Sequence, residues 1–398
     1  MSNASREFDP DLPAPRGEGR TVIFTPRFLT RKVYRGVFFE FEETIAKIED
    51  VDFHAPEKTR LGSPLLFLEK AAGRVKRELR LPSTPVSHLV PSELKGSYDL
   101  GFIIFAYPAD IPAHLAVKNW KQRCRTTACY LGEHWPADFT NPRTRANLKL
   151  LSRFDHVFCH CPQVEELSAL IGRPCTHLPV GVDALRFSPM SLHAPREIGV
   201  YSVGRRSASA HEDLRARANA GELLYLYDTA FGFDVRNWRE HRDLIANNIK
   251  HSEFFISYKH NVSLTSLTSG VEAVGARLFE GAAGGAIQIG IAPDCDTYRQ
   301  YFDWPDAVIP MPYDCAQPWE LIQDLRRQPE RLAAARREGV SKSLLHNDWS
   351  HRWRKILETL DLPPDARFLQ RQDALAGTHD SLVQPRSMNL SQSVEVPC

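Results

Sequence analysis

The feature that most restricts what this chain can fold into is an alternation that runs through it twice. Short apolar runs of strand character give way to amphipathic stretches of helical spacing and then return. In the first half the strand-like runs are TVIFTP (from Thr21), YDLGFIIFAY (from Tyr98), RTTACYLGEHW (from Arg125), HVFCHC (from His156) and CTHLPVG (from Cys175). Between them lie helical patterns such as GVFFEFEETIAKIED, NLKLLSRF and QVEELSALIG. The second half repeats the plan. Its strand-like runs are EIGVYSVGR (from Glu197), ELLYLYDTA (from Glu222), SEFFISYKH (from Ser252), GAIQIGIA (from Gly285) and DAVIPMPYD (from Asp306), and its helical patterns include REHRDLIANNIK, PERLAAARREGV and HRWRKILETL. Near-continuous apolar strands alternating with helices specify parallel sheets covered on both faces. Ten such runs exceed one small sheet. The loop-like, proline-bearing FSPMSLHAPRE (Phe187 to Glu197) supplies a break. The expected architecture is α/β, with two Rossmann-like, doubly wound parallel-sheet domains facing a central cleft. The expected divisions are a flexible N-terminus over 1–20, a first domain over 21–186, a second over 187–360, and a polar, disordered tail over 361–398. Segment 54–97 reads as an irregular decoration of the first domain.

Composition narrows the function classes. A formal net charge of +1 over 398 residues argues against nucleic-acid binding through bulk charge. The sequence has no apolar run of about eighteen residues, the length a spanning helix needs. The polar start MSNASREFDPDLPAPRGEGR lacks the apolar core of a secretory signal. The expectation is a cytoplasmic protein, with room for peripheral contact at the inner membrane face. AAGRVKRELR (from Ala71) has few large apolar residues and reads as a solvated helix rather than a membrane-surface one. Eight cysteines in a chain this long read as reduced and mostly buried thiols. FCHCP lacks paired knuckle spacing, and alternate strand residues point to opposite faces, so Cys159, His160 and Cys161 do not form a zinc site.

Ligands of doubly wound sheets bind at the carboxyl ends of the strands. The most informative stretch there is EAVGARLFEGAAGGAIQIG, from Glu272. A helix starting near Ala273 would offer backbone N–H groups and a partial positive charge at its first turn, and Gly275 would let a phosphate approach. Glu280 lies eight residues after Glu272 and returns to nearly the same helix face. The run Gly281 to Gly285 would let the helix end pack closely on the next strand.

This stretch resembles the donor site of GT-B glycosyltransferases of the retaining, family-4-like kind with an E-x7-E motif, and RLFEGAAGGAIQIG is closer still to the CgeB-like group. LPVGVDALRFSP (from Leu178), VYSVGRRS (from Val200) and the final helices from Pro329 follow in the order of that family's landmarks. The resemblance implies a hexosyltransferase that moves a sugar from a nucleotide-diphosphate sugar to a glycan, lipid-linked or other acceptor. It implies retention of configuration and no metal cofactor. It assigns Glu272 to the donor sugar, Glu280 to the nucleotide ribose, Arg205 to the diphosphate and, more loosely, His134 to the sugar. Gly275, Ala276 and Arg277 fall in the donor-binding turn. The lysine expected after the V-G-R arginine is absent, and Arg206, His211 or Lys259 are the candidates to replace it. Arg27, Arg31, Lys32 and Arg35 follow the first strand and either hold an anionic acceptor or are simply solvated. Asp9/Asp11, Asp50/Asp52 and Asp294/Asp296 spell D-x-D, but the two-domain pattern speaks against a metal-dependent GT-A reading. Two rivals stay open: a nucleotide-sugar 2-epimerase on the same architecture, and a non-catalytic sugar-binding or scaffold protein.

Overall fold

A computed structural model describes residues 16–27, 30, 32–57, 89–230 and 232–383. Its first sheet contains β1 (Thr21–Phe24), β2 (Val51–His54), β3 (Tyr98–Phe105), β4 (Cys124–Leu131), β5 (His156–Cys159) and β6 (Cys175–His177). They are ordered β2-β1-β3-β4-β5-β6, and every pairing is parallel. The second sheet contains β7 (Ile198–Ser202), β8 (Tyr225–Tyr227), β9 (Ser252–Tyr258), β10 (Ile287–Ile291) and β11 (Ile309–Pro310), ordered β11-β10-β9-β7-β8 and again wholly parallel. Each sheet thus begins in its middle and winds outward both ways, which is the doubly wound plan. Two such domains make a GT-B fold. The order reverses between β1 and β3 in the first sheet and between β7 and β9 in the second, and those reversals open the crevices where ligands bind.

The strand composition explains the layering. Along β3, Leu100, Phe102 and Ile104 join one buried cluster while Ile103 and Phe105 join another. Successive side chains point to opposite faces, and both faces are covered, so the strand reads as an unbroken apolar run.

Eight helices matter below. They are α1 (Gly36–Ile48), α2 (Val164–Ile171), α3 (Ala208–Asn219), α4 (Trp238–Lys250), α5 (Ala276–Gly284), α6 (Pro329–Lys342), α7 (Trp349–Thr359) and α8 (Ala366–Val383). The last two cross back to the first domain. Trp349 of α7 stacks on Phe41 of α1 at 4.3 Å, and Trp353 meets Phe102 of β3 edge-on at 5.3 Å. Both indoles are fully buried, and truncating such a side chain costs about 3–5 kcal/mol. The crossing chain runs beside the outgoing linker. The Val182 N–H donates to the Asn347 carbonyl at 3.1 Å, and the Trp349 N–H donates back to the Val182 carbonyl at 3.0 Å. Gly181 allows a close approach here: a Cβ would lie 3.0 Å from the Trp349 ring and 3.1 Å from the Asn347 carbonyl.

A buried polar layer fixes the two domains to each other. Glu40 of α1 accepts from the Arg242 guanidinium of α4 at 2.9 Å, from Arg186 at 3.2 Å, from the Asp183 backbone at 2.9 Å and from the Trp349 indole at 3.2 Å. Beside it, Arg371 of α8 bridges Asp348 at 2.6 Å and Asp183 at 2.8 Å. Arg371 and Lys47 outweigh burial and hold the Asp183 carboxyl at about 2.

The structure departs from the sequence reading in three places. Val51–His54 is a strand, where the sequence reading named none: its helical pattern ended at Asp50 and its irregular segment began at His54. The segment expected to be a disordered tail carries α8, anchored by buried Phe368, Arg371 and Leu375. Helix α5 begins at Ala276, not Ala273. Arg31, Asp9, Asp11 and the AAGRVKRELR segment lie outside the described residues. Among the described residues no helix is long and apolar enough to cross a membrane.

Candidate functional site

The crevice between β7 and β9 collects the chemistry. After β7 the chain turns through Gly204 at φ +80° into Arg205 and Arg206. After β9 come Lys259, His260 and Asn261. The Arg205 guanidinium donates to the Asn261 side-chain carbonyl at 2.5 Å, spanning the switch point from one strand end to the other.

Helix α5 points its N-terminus into the same crevice. Its N-cap is Gly275, which has no side chain to bond the first-turn amides. Helix α3, by contrast, is capped by the Ser207 hydroxyl, which accepts from the Ala210 N–H. The open amides of the site are therefore those of α5, and an anion would satisfy them. Arg277 stands in that first turn. It makes no hydrogen bond or ion pair among the described residues, although it is only partly exposed. Burial pulls its pKa below the usual arginine value, and nearby Arg205 pulls the same way, against Glu280 and Asp228. Its guanidinium lies over Gly204, where a Cβ would come within 2.0 Å of Nη2. Two arginines, one unpaired, and an uncapped helix end thus surround one spot with net positive charge.

Glu272 lies in the loop before α5. It binds the Lys259 ammonium, and its Oε2 accepts from the Asp294 N–H at 2.6 Å. Because residues 271–275 are not helical, Glu272 and Glu280 do not share a helix face. Glu280 is 5% exposed and ion-paired to Arg242 at 2.5 Å, beneath the crevice. The site therefore assembles Glu272, Arg205, Lys259, Gly275, Ala276 and Arg277, while Glu280 belongs to the interdomain layer.

Arg206 turns away, donating to the Asp228 carbonyl at 2.5 Å with its guanidinium 5.1 Å over the Tyr227 ring. His211 hydrogen-bonds the Tyr225 hydroxyl at 3.0 Å. Neither faces the spot between Arg205 and Arg277.

The first domain closes the crevice with its β4 and β5 ends. His134 is fully buried against Phe139, and neither ring nitrogen has a hydrogen-bond partner. Burial pushes the imidazole down to about 4, so it is neutral and packed rather than presented. The neighbouring Glu133 faces the cleft instead. Its Oε2 lies 3.2 Å from His260 Nε2, and it accepts from the Tyr107 hydroxyl at 3.2 Å and the Trp135 indole at 3.4 Å. Burial pushes this carboxyl up, but His260 and the other donors outweigh it and hold it at about 2. Around the pair, Trp135 and Cys161 of the first domain pack on Ala273 of the second. Sequence reading missed Glu133 and His260 although each adjoins a residue it chose. Alternate side chains of a strand end point to opposite faces, and the sequence does not say which face looks into the cleft.

The remaining candidates are structural. Arg27 is buried, bonded to Glu42 at 2.6 Å and enclosed by the rings of Phe39, Phe53 and Trp238. Lys32 bonds the Gly232 carbonyl and Asp234 across the domains, and Arg35 makes a bidentate pair with Asp110 at 2.7 and 2.8 Å. Arg27 and Arg35 are thus committed within the first domain, while Lys32 stays half-exposed in its pair with Asp234. Asp52 accepts from the Tyr98 hydroxyl, and Asp50 pairs with Arg16. Asp294 and Asp296 are exposed and both bound by Arg299, at 2.6 and 2.7 Å.

Comparison with known proteins gives the following. Residues 207–358 match a family model described as "Glycosyl transferase-like". None of the curated proteins matches. The crystal structure of HepE from Anabaena in complex with UDP is 11% identical, with a TM-score of 0.49, covering 86% of this chain and 99% of that one. The α,α-trehalose-phosphate synthase (UDP-forming) of Burkholderia vietnamiensis is 12% identical, with a TM-score of 0.41, covering 83% and 80%. An E. coli trehalose-6-phosphate structure bound with UDP-2-fluoro glucose is 9% identical, with a TM-score of 0.48, covering 87% and 100%.

Proposed function

We propose that this chain is a glycosyltransferase that binds a nucleotide-diphosphate sugar in the β7/β9 crevice and transfers the sugar to an acceptor held by the first domain. One observation carries the reading. Arg205, the unpaired Arg277 and the uncapped first turn of α5 converge where the chain is bare of side chains at Gly204 and Gly275. That arrangement suits a diphosphate and little else in the cleft. The match of residues 207–358 to the glycosyltransferase-like family supports the same reading.

Breaking the bond from sugar C1 to the diphosphate leaves positive charge on the sugar and negative charge on the leaving group. Prearranged cations and helix amides stabilise the second without reorganising, and each such donor contributes about 2.7–4 kcal/mol to the barrier in comparable sites. Arg277 fills the place of the lysine absent after Arg205. Glu272, held by Lys259 and the Asp294 amide at the mouth of α5, is the group to receive hydroxyls of the donor sugar. Retention is carried by the resemblance of the donor stretch to retaining glycosyltransferases; a metal is not needed, since the leaving group's charge is met by arginine and both acids of the Asp294/Asp296 pair are occupied by Arg299.

The test is calorimetry against UDP, GDP, ADP and dTDP and their glucose conjugates, with and without EDTA. UDP-glucose comes first, because it is the compound bound in one HepE structure. Binding of one diphosphate family, indifferent to chelator and weakened by Arg277→Gln, is the expected result. Absence of binding by every nucleotide sugar would refute the reading. An anomeric assignment of the product by proton NMR then decides retention.

A further inference from the structure

The first domain touches the donor crevice at one ion pair that no part of the donor reading uses. His260 leaves β9 beside Lys259, and Glu133 leaves β4. They meet across the two domains at 3.2 Å, with side chains only 19% and 20% exposed. The Glu133 carboxylate is held in place by Tyr107 and Trp135 from its own domain. The His260 ring is wedged edge-on against Trp135 at 5.2 Å and lies 6.1 Å from His160. Its Nε2 is thus committed to Glu133.

Its other nitrogen is not committed. His260 Nδ1 is buried and has no hydrogen-bond partner. A Cβ placed on Gly275 would lie 3.8 Å from Nδ1, closer than from any other atom of that ring. This polar atom therefore looks onto the uncapped first turn of α5, where the diphosphate is placed. A buried nitrogen without a partner is costly, and an anion oxygen at that turn would relieve it.

We propose that His260 is a catalytic residue that donates Nδ1–H to the departing diphosphate, and that Glu133 is its positioning residue, supplied by the opposite domain. This rests on the reading of the crevice as a nucleotide-sugar site. In the step, the C1–O bond breaks with its electron pair going to the β-phosphate oxygen. The acceptor hydroxyl oxygen bonds to C1 and gives its proton to the departing diphosphate. His260 transfers no proton in the step and acts by the hydrogen bond it donates. Because Glu133 and His260 belong to different domains, leaving-group stabilisation draws on residues from both sides of the cleft.

Two measurements test this on the full-length protein. The first needs no donor. Carboxyl NMR of carbon-13 glutamate-labelled protein between pH 4.5 and 7.5 should show Glu133 immobile in the native chain and titrating within that window in His260→Gln, where burial is opposed only by the Tyr107 and Trp135 hydrogen bonds and the nearby His160. The second is UDP-glucose binding and turnover in a double-mutant cycle. His260→Gln should lower kcat about tenfold or more, as loss of one charge-assisted bond does. Glu133→Gln should lower it less, the double variant should be no worse than His260→Gln alone, and His260→Lys should restore part of the loss. Thermal midpoints of the ligand-free variants check folding. Additive losses, no rescue by lysine, or an unmoved Glu133 signal would overturn the dyad. If Glu133 titrates as expected but UDP-glucose and the other nucleotide sugars fail to bind, the donor reading falls and the diphosphate role falls with it.

Discussion

Glu40 is the residue whose loss should cost most outside the crevice. It has no exposed surface and receives five donors: Nε and Nη2 of Arg242, Nη1 of Arg186, the Asp183 N–H and the Trp349 indole. Glu40→Ala leaves the Asp183 amide and the Trp349 indole unsatisfied, at about 1–3 kcal/mol each, and deprives buried Arg242 of one of its two carboxylates. Breaking one side of a buried pair costs about 3–5 kcal/mol, because the surviving charge is stranded. Arg242 keeps Glu280, and Arg186 keeps Glu43 and Asp243, so these costs are not fully additive. The expected loss is about 4 kcal/mol, and at about 2–4 °C per kcal/mol the unfolding midpoint should fall by about 10 °C. The assay is thermal unfolding followed by near-ultraviolet circular dichroism, to which Trp349 contributes among the seven tryptophans, with urea midpoints as a second measure. The argument makes a further demand. The triple variant Glu40→Leu, Arg242→Met, Glu280→Leu removes the buried Glu40–Arg242–Glu280 charges together and leaves Arg186 its pairs with Glu43 and Asp243, so it should be less destabilised than Glu40→Ala alone. A Glu40→Ala midpoint within 2 °C of the native chain, or a triple variant worse than the single one, would refute the reasoning.

Three further outcomes are expected. Arg277→Gln should weaken UDP-glucose binding by about ten- to a hundredfold, the worth of one charge-assisted contact at about 1.5–3 kcal/mol, while leaving the unfolding midpoint nearly unchanged, because Arg277 has no partner to lose; calorimetry and thermal unfolding read the two effects. Gly204→Ala should weaken the same binding without touching the diphosphate itself, since φ +80° disfavours the new side chain and its Cβ would displace the Arg277 guanidinium. Burial holds His114 and His134 at about 4 and His160 at about 3, so each is neutral when folded and takes up a proton on unfolding below about pH 6.5. Stability should therefore be complete above that pH and fall by about 1.4 kcal/mol per histidine per pH unit as the pH drops from 6.5 towards 4; urea midpoints across this range should flatten by one proton's slope in His160→Gln.

How much of this was legible beforehand depends on what a linear pattern can carry. The two parallel sheets were legible because runs such as FIIF and EFFIS are apolar on both faces, which leaves few alternatives. Strand β2 was not, since VDFH is four residues long and its Asp52 is accommodated by the Tyr98 hydroxyl and the Gly17 amide, contacts distant in sequence. Helix α8 was hidden for a similar reason. ARFLQRQDALAGTHDSLV shows only three buried positions, and the strongest of them is an arginine whose partners, Asp183 and Asp348, are set by the crossing of the chain between domains. In the crevice, Arg205, Glu272, Lys259 and Arg277 could be named from their places after strands and at a helix start. The role of Glu280 could not, because eight-residue spacing places two carboxylates together only if one helix carries both. Residues 272–275 are not helical, and the second carboxylate, on α5, is paired with Arg242.

The arginines of this molecule separate into two populations, and the separation itself points to the site. Arg242, Arg371 and Arg27 are buried with carboxylates in close geometry, which is what retaining a charge inside a domain requires. Arg352 is buried without a carboxylate but spends its guanidinium on the carbonyls of Pro179, Val180 and His346 and on the ring of Tyr301 at 4.4 Å. Each has a structural account that closes within the chain. Arg277 has no such bond. It is held partly out of water, next to another cation and an uncapped helix end, and the nearby but unbonded charges of Glu280 and Asp228 offset that cost only in part. An external anion would offset the rest, and it must be small enough to enter over Gly204 and Gly275 and charged enough to answer Arg205 as well. The same reasoning singles out His260 Nδ1 among the ring nitrogens near the cleft: like Arg277 it faces the α5 turn, and the partner it lacks is one the diphosphate would supply.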